Sequence, residues 1–181
     1  MEYYEKRLSG ETKYHGVIMD VTLDDVALHT GEQVRREVVH HPGGVTVLPV
    51  DENGIAYCVR QFRYPFGKML LECPAGKLEP GEEPRAAALR ELSEETGLEC
   101  AELVDLGAIY ATPGYCTETL YVYLALGLTQ KEAHPDQGEY LNVEKYPLSE
   151  LAARCMAGEI SDGKTNVAVL KAMRILEERN G

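Results

Sequence analysis

The first part of the chain alternates apolar and polar positions, which is the pattern of half-buried β-strands. Residues 16–28 carry this alternation around Asp24-Asp25, and they predict a hairpin or a meander. Residues 32–41 predict another strand, which ends at Pro42-Gly43-Gly44. Because the first 45 residues are too few to bury a hydrophobic core, we expect a β-rich extension and not an independent domain.

Strand patterns continue in residues 46–181, which we expect to form the main domain. Two β-branched runs on either side of residues 51–54 predict a hairpin. Residues 68–78 predict a short strand that turns at Pro74-Ala75-Gly76, and the runs AELVDLGAIYAT and ETLYVYLALGLT predict two further strands.

Three segments have the spacing of helices. In residues 84–96 the apolar stripe consists of Ala86, Ala87, Leu89 and Leu92. Pro84 suits the first helical turn and Gly97 suits the position after the last, so both ends are marked. Residues 148–156 and roughly 165–179 predict two helices that close the fold.

Charge and cysteine content narrow the class of protein. The formal net charge of -12 argues against a nucleic-acid partner, which needs a basic surface, but it allows a small anion neutralised by metal. Five cysteines without C-x-x-C spacing indicate reduced thiols. The charged start MEYYEKRLSG is not a signal peptide, and no apolar run approaches the roughly 20 residues of a membrane span. We therefore expect a cytoplasmic protein with no membrane partner.

A cluster of glutamates is the main chemical feature. On the helix predicted from residue 84, Glu91 and Glu95 lie four residues apart on one face, and Glu94 lies beside them. Such carboxylates repel one another, and they suit Mg²⁺ or Mn²⁺, which prefer oxygen ligands. Arg90 is placed to orient Glu82 or Glu94. The alternative is an acidic face exposed to solvent.

The surrounding pattern argues against that alternative. The motif G-x5-E-x7-R-E-U-x-E-E-x-G-U, in which U is a bulky aliphatic residue, is matched at every fixed position by Gly76, Glu82, Arg90, Glu91, Leu92, Glu94, Glu95, Gly97 and Leu98. This motif is the Nudix box, and the chain resembles a Nudix hydrolase. The resemblance implies an α/β/α sandwich with a mixed sheet. It also implies hydrolysis of a nucleoside diphosphate linked to another group.

The same resemblance assigns roles within the box. It implies metal ligation by Glu91, Glu95, Glu94 and the backbone carbonyl of Ala75. Glu94 is also a candidate catalytic residue, and Glu82 would bridge metal ions or support their ligands. Gly76 and Gly97 would allow the turns at the two ends of the box.

Further features resemble the ADP-ribose pyrophosphatase branch of the family. Pro113, followed by Gly114, lies fifteen residues beyond Leu98, and this spacing marks the branch. The segment RQFRYP implies that Arg63 contacts a substrate phosphate. The segment LECPAGKLE implies that Glu72 faces the substrate.

The resemblance extends to the N-terminal segment VRREVVHHPGGVTVLPV. It implies a homodimer in which this segment reaches the partner subunit's site and Arg36 contacts phosphate or ribose; Arg35 is the alternative if the register slips by one. The chain contains no tryptophan, so stacking on the base would need another residue, and both Tyr14 and Tyr115 are candidates.

The catalytic base of this branch comes from an acidic loop late in the chain. The segment EAHPDQGEYLNVEKYPL occupies that place and makes Glu139 the first candidate, with Asp136 and Glu132 next. The expected reaction is Mg²⁺-dependent hydrolysis of ADP-ribose to AMP and ribose 5-phosphate. The alternatives are a pyrophosphatase acting on another nucleotide sugar such as GDP-mannose, or a non-catalytic sensor of ADP-ribose. The complete box argues against the sensor.

Overall fold

The computed structural model describes residues 3–131 and 141–180. The strands of this part of the chain are β1 (Glu5–His15), β2 (Asp20–Leu28), β3 (Gln33–His40), β4 (Gly44–Pro49), β5 (Ile55–Arg63), β6 (Lys68–Glu72), β7 (Ala75–Lys77), β8 (Leu98–Tyr110), β9 (Thr119–Gln130) and β10 (Leu141–Pro147). The helices are α1 (Pro84–Thr96), α2 (Leu148–Met156) and α3 (Gly163–Asn180). Within the described residues, no helix combines the length and apolar character needed to cross a bilayer.

The chain divides into two compact units, the first formed by Met1–Gly43 and Tyr110–Thr119. Its antiparallel sheet has the order β1-β2-β3, and the strand predicted at residues 32–41 is present as β3. The hairpin or meander predicted within residues 16–28 is wrong, because Asp24 and Asp25 lie in the middle of the single strand β2. Arginines of the neighbouring strands pair with these two carboxylates, so no turn is needed to expose them. The sequence did not indicate β1, because that strand is exposed along its whole length and has no apolar alternation. The boundary predicted at residues 45/46 stays a prediction, since the first unit also includes a later segment.

That later segment is attached to β3 by backbone pairing. The N–H of Val39 donates to the carbonyl of Tyr115 at 2.7 Å, and the N–H of Thr117 donates to the carbonyl of Val39 at 2.9 Å. The loop with Pro113 and Gly114 therefore folds with the N-terminal strands.

The second unit, Gly44–Ile109 and Leu120–Gly181, contains two sheets. One has the order β7-β4-β9-β8, in which β4 runs parallel to β9 and antiparallel to β7. The other is antiparallel and has the order β10-β5-β6. The predicted mixed sheet is therefore confirmed.

Helices cover both faces of β4. Successive side chains of a strand point to opposite faces, and β4 carries buried apolar side chains on both. Val45 and Val47 share a hydrophobic cluster with Leu92 of α1. Leu48 belongs to a second cluster with Leu151 of α2 and with α3. This layering is the predicted α/β/α arrangement.

The hairpin predicted around residues 51–54 is wrong as a pair of strands. The turn forms, because the N–H of Gly54 donates to the carbonyl of Asp51 at 3.0 Å and Gly54 adopts a φ of 74°. However, β4 and β5 belong to different sheets, and within the described residues a single isolated bridge, between Val50 just after β4 and Ala56, joins the two sides of the turn. The reason is that β4 is buried at every position and lies between β7 and β9.

The helix bounds agree closely with the sequence. Helix α1 runs over the predicted residues, with Pro84 in its first turn and Gly97 in the left-handed conformation at φ 67°. Its predicted apolar stripe is partly wrong, because Ala86 and Leu89 are exposed. The buried positions of α1 are Ala87, Ala88, Glu91, Leu92, Glu95 and Thr96. Two glutamates thus occupy the face that the pattern gave to apolar residues.

Candidate active site

The buried face of α1 presents two carboxylates to β7. Glu91 is 8% exposed and Glu95 is 3% exposed. The Oε2 of Glu95 accepts the N–H of Ala75 at 3.2 Å. A Cβ added to Gly76 would lie 1.7 Å from Oε1 of Glu91, so a side chain at this position would displace that carboxylate. The helix period and the glycine together place Glu95 beside the backbone of Ala75, the predicted carbonyl ligand, and Glu91 beside Gly76.

Arg90 connects the remaining glutamates of the box. Its Nη1 donates to Glu91 at 2.7 Å and to Glu94 at 2.9 Å. Its Nε and Nη2 donate to the two oxygens of Glu82 at 2.9 and 3.0 Å. These bonds raise the pKa of Arg90, and the largest contribution comes from those to Glu82. The bonds from Arg90 in turn lower the pKa of Glu82. The structure therefore brings these four predicted residues together, while their catalytic roles stay predictions.

The donor set suits a hard divalent cation. Three carboxylates of the box pair with one guanidinium and Glu95 lies on the same helix, and such an excess of carboxylate oxygens favours a hard cation over softer ions. Among the described residues, no three His, Cys, Asp or Glu side chains are arranged to enclose an ion.

A second group of charged residues lies at the end of β6. Glu72 is 1% exposed, and both its oxygens accept hydrogen bonds at 2.7 Å from Nε and Nη2 of Arg63. Lys164 at the start of α3 also donates to Glu72. Burial alone raises the pKa of Glu72, but Arg63 and Lys164 outweigh it and hold that pKa below its usual value. Glu72 is therefore a buried, ionised group, and its contact with substrate stays a prediction.

The sequence interpretation missed Lys164. It lies in the turn Asp162-Gly163-Lys164-Thr165, where an acidic residue directly before a helix is a typical N-cap signal. That signal was available from the sequence, but the partner of Lys164 was not, because Glu72 is distant along the chain.

The first unit contains a cavity of about 510 Å³. It is lined by Leu23, Arg35, Arg36, Glu37, Gly114 and Tyr115. The cavity therefore brings the predicted substrate residues Arg36 and Gly114 together, next to the alternative Arg35. Pro113 lies in the same turn, closed by a 3.0 Å bond from the N–H of Cys116 to the carbonyl of Thr112. Of the two candidate stacking residues, Tyr115 lines this cavity.

Both arginines of the cavity are paired with carboxylates of neighbouring strands. Arg36 donates to the two oxygens of Glu5 at 3.0 and 2.7 Å, and Arg35 donates to Asp25 at 3.2 Å. The hydrogen bond from Arg36 lowers the pKa of Glu5. The predicted bases Glu139, Asp136 and Glu132 lie outside the described residues.

Comparisons with known proteins extend these observations. A family model described as the NUDIX domain matches residues 40–165. An ADP-ribose pyrophosphatase of Bacillus subtilis (strain 168) is 38% identical over 167 residues, which cover 91% of this chain and 90% of the relative. A protein of Bacillus methanolicus named methanol dehydrogenase activator is 38% identical over 169 residues, covering 92% and 91%. A solved structure of an ADP compounds hydrolase superposes with a TM-score of 0.84 at 20% identity, over 97% of this chain and 95% of that one.

Proposed function

This chain belongs to the Nudix family, and we propose that it is a Mg²⁺-dependent pyrophosphatase that hydrolyses ADP-ribose to AMP and ribose 5-phosphate. The observation that carries the proposal is the contact of α1 with β7, where Glu95 is buried beside Ala75 and Glu91 is buried beside Gly76. Like charges on one helix face repel each other, and a divalent cation with oxygen ligands offsets that repulsion, so a cation-binding role accounts for the clustering of these glutamates. The relative from Bacillus subtilis named ADP-ribose pyrophosphatase supports the choice of substrate.

In the proposed mechanism, Glu91, Glu94, Glu95 and the carbonyl of Ala75 hold the cation. When bound, the cation supplies charge neutralisation at the pyrophosphate and lowers the pKa of water. Arg90 fixes the orientation of the carboxylates through the bonds described above. Arg63 holds a phosphate of the substrate, and Glu139 removes the proton of the attacking water.

Arg63 is the proposed phosphate contact, and Arg36 is proposed to contact phosphate or ribose in the partner subunit's site. Guanidinium groups match pairs of phosphate oxygens, which makes Arg63 and Arg36 suitable contacts for a diphosphate. Tyr115 is the proposed stacking residue, since it lines the cavity with Arg36.

We also propose that the protein is a cytoplasmic homodimer in which the N-terminal strands contribute to the partner subunit's site. Support comes from apolar side chains that are exposed on the first unit, namely Tyr3, Tyr4, Leu8, Tyr14, Val17, Ile18 and Met19. Light scattering at micromolar concentration should give twice the mass of the 20.1 kDa chain. A monomeric mass together with full activity would contradict the dimer.

The test of function is product analysis with a panel of substrates. ADP-ribose, ADP-glucose, GDP-mannose and NAD would each be incubated with Mg²⁺ or with EDTA, and nucleotide products would be separated by chromatography. We expect ADP-ribose to give the highest kcat/KM, AMP as product, and no turnover in EDTA. A higher kcat/KM for GDP-mannose would instead support the nucleotide-sugar alternative. Binding of ADP-ribose without turnover would support the sensor.

A further inference from the structure

The first turn of α3 holds the segment 72–73 through two separate contacts. Asp162 caps the helix, since its Oδ2 accepts the N–H of Thr165 at 3.0 Å and the Oγ1–H of Thr165 at 2.5 Å. The same Thr165 oxygen accepts the N–H of Cys73 at 2.7 Å. One residue earlier, Lys164 donates to the side chain of Glu72. The helix terminus therefore fixes both the backbone and the acidic side chain at the end of β6.

Lys164 is held too firmly by protein groups to act as a direct ligand of a phosphate. Its side chain is 11% exposed, and Nζ donates to Glu72 and also to Asp162 at 2.9 Å. A buried ammonium between two carboxylates is compensated in place, and moving it to a substrate would break its bonds to both of them. Its effect on a substrate must therefore pass through Glu72 or Asp162.

The geometry of Arg63 shows where that effect would appear. Glu72 occupies the guanidinium edge formed by Nε and Nη2. A guanidinium has five N–H donors, so this pairing leaves the edge that carries Nη1 directed away from Glu72. The Arg63 side chain is 37% exposed, compared with 1% for Glu72, so Arg63 is the member of the pair that reaches the surface. The direction of its outer edge, which carries Nη1, depends on the position of the Glu72 carboxylate.

We propose that Lys164 is a positioning residue, which fixes the Glu72 carboxylate so that Arg63 presents its outer edge to a phosphate of the substrate. This inference rests on the proposed function. Two cations and two carboxylates form the group, namely Arg63, Lys164, Glu72 and Asp162. Removing Lys164 leaves the two carboxylates with a single cation, and their repulsion moves Glu72 and with it Arg63.

The test is a double-mutant cycle on the full-length protein. Kinetic constants for ADP-ribose would be measured for wild type, Lys164→Met, Arg63→Ala and the double variant, with Lys171→Met as the matched control. Lys171 lies on the same helix and donates to the carbonyl of Leu106. Thermal denaturation of each variant reports its folding.

We expect Lys164→Met to raise KM roughly tenfold to a hundredfold while kcat changes much less, because a displaced binding group mainly weakens substrate binding. In the Arg63→Ala background the same change should have less than about a twofold effect, since the group that Lys164 positions is already gone. Lys164→Arg should restore most of the affinity, and Lys171→Met should behave as wild type.

Equal losses in both Arg63 backgrounds, or no loss in either, would overturn the proposal. If Lys164→Met does not fold, Lys164→Gln takes its place in the cycle, with the same expected pattern. Failure of the proposed function is separable from this result, because wild type would then show no turnover. If wild type shows no turnover, the dissociation constant of ADP-ribose would be measured by calorimetry for the same four proteins. These four constants give the coupling energy between Lys164 and Arg63.

Discussion

The glutamates of α1 and the arginines of the N-terminal sheet are both candidate site residues, yet the protein holds them in different ways. Glu91 and Glu95 are almost fully buried against β7. The side chains of Arg35 and Arg36 are 72% and 43% exposed, and their carboxylate partners are also partly exposed. The first group is fixed by packing, whereas the second is held by pairs that solvent screens.

This difference indicates separate roles. Exposed ion pairs contribute little stability, so Arg36 can exchange Glu5 for a substrate phosphate at small cost. The carboxylates of α1 are buried against β7 and held by hydrogen bonds, which suits groups that must already be in place for the reaction. Changes near α1 should therefore lower kcat, and changes in the N-terminal sheet should raise KM.

The largest kinetic effect is expected for Glu139, the proposed base. Glu139→Gln should lower kcat by roughly 10²–10⁴-fold, the usual contribution of positioned proton transfer, and should leave KM nearly unchanged. Initial rates measured over a range of ADP-ribose concentrations at saturating Mg²⁺ give kcat and KM. Glu132→Gln and Asp136→Asn would be measured for comparison. If Glu139→Gln keeps more than about a tenth of wild-type kcat, the base lies elsewhere.

Gly76→Ala tests whether the packed carboxylate must be in position. The added methyl group meets the end of the Glu91 side chain, so it should displace the carboxylate and not the backbone. We expect a loss of roughly 10²-fold in kcat with a small change in Tm. Gly163→Ala is the control, because its Cβ would meet no atom within 4 Å. Near-normal kcat in Gly76→Ala would contradict the tight packing inferred for this site.

Arg36→Ala tests the opposite behaviour in the N-terminal sheet. Loss of a charged hydrogen bond to phosphate should raise KM for ADP-ribose about tenfold, with kcat little changed. Arg35→Ala, measured in parallel, decides which of the two neighbouring arginines is the contact. A lower kcat at unchanged KM would assign Arg36 to the catalytic groups and would contradict the separate roles inferred for α1 and the N-terminal sheet.

The smallest effect is expected for Glu144, whose pair with Arg60 lies outside the proposed site. Hydrogen bonds from Arg60 and then Tyr146 lower the pKa of Glu144 from its ordinary value of 4.5 to about 2. Because the folded-state pKa is the lower one, this stability is present above pH 4.5 and is lost as the pH falls toward 2. Glu144→Gln should reduce the free energy of unfolding by about 0.5–1 kcal/mol at pH 7.

Urea denaturation at several pH values tests this expectation. The difference between Glu144→Gln and wild type should narrow between pH 4.5 and 2, while kcat and KM at pH 7 stay near wild-type values. A difference that does not depend on pH would show that the carboxylate charge is not the source of the stability.

The contrast between the two regions also explains what the sequence could predict. Residues 84–96 gave the helix bounds and the shared face of Glu91 and Glu95, because helix geometry fixes those relations locally. The sequence could not give the pairing of Glu72 with Lys164, since two elements far apart in the chain meet there. The sequence did not predict the exposed strand β1 for a related reason. This strand forms by pairing with β2, and it has no apolar face of its own that a sequence pattern could indicate.

Binding of Mn²⁺, followed by electron paramagnetic resonance, tests the central claim that α1 holds a divalent cation. Glu91→Gln and Glu95→Gln would be titrated with Mn²⁺ beside wild type. The control is Glu99→Gln, because Glu99 is exposed, lies just beyond α1 and pairs with Lys131. We expect at least about a tenfold loss of Mn²⁺ affinity in the first two variants, wild-type affinity in Glu99→Gln, and no loss of metal-free Tm in any of the three. Wild-type Mn²⁺ affinity in both Glu91→Gln and Glu95→Gln would contradict the account.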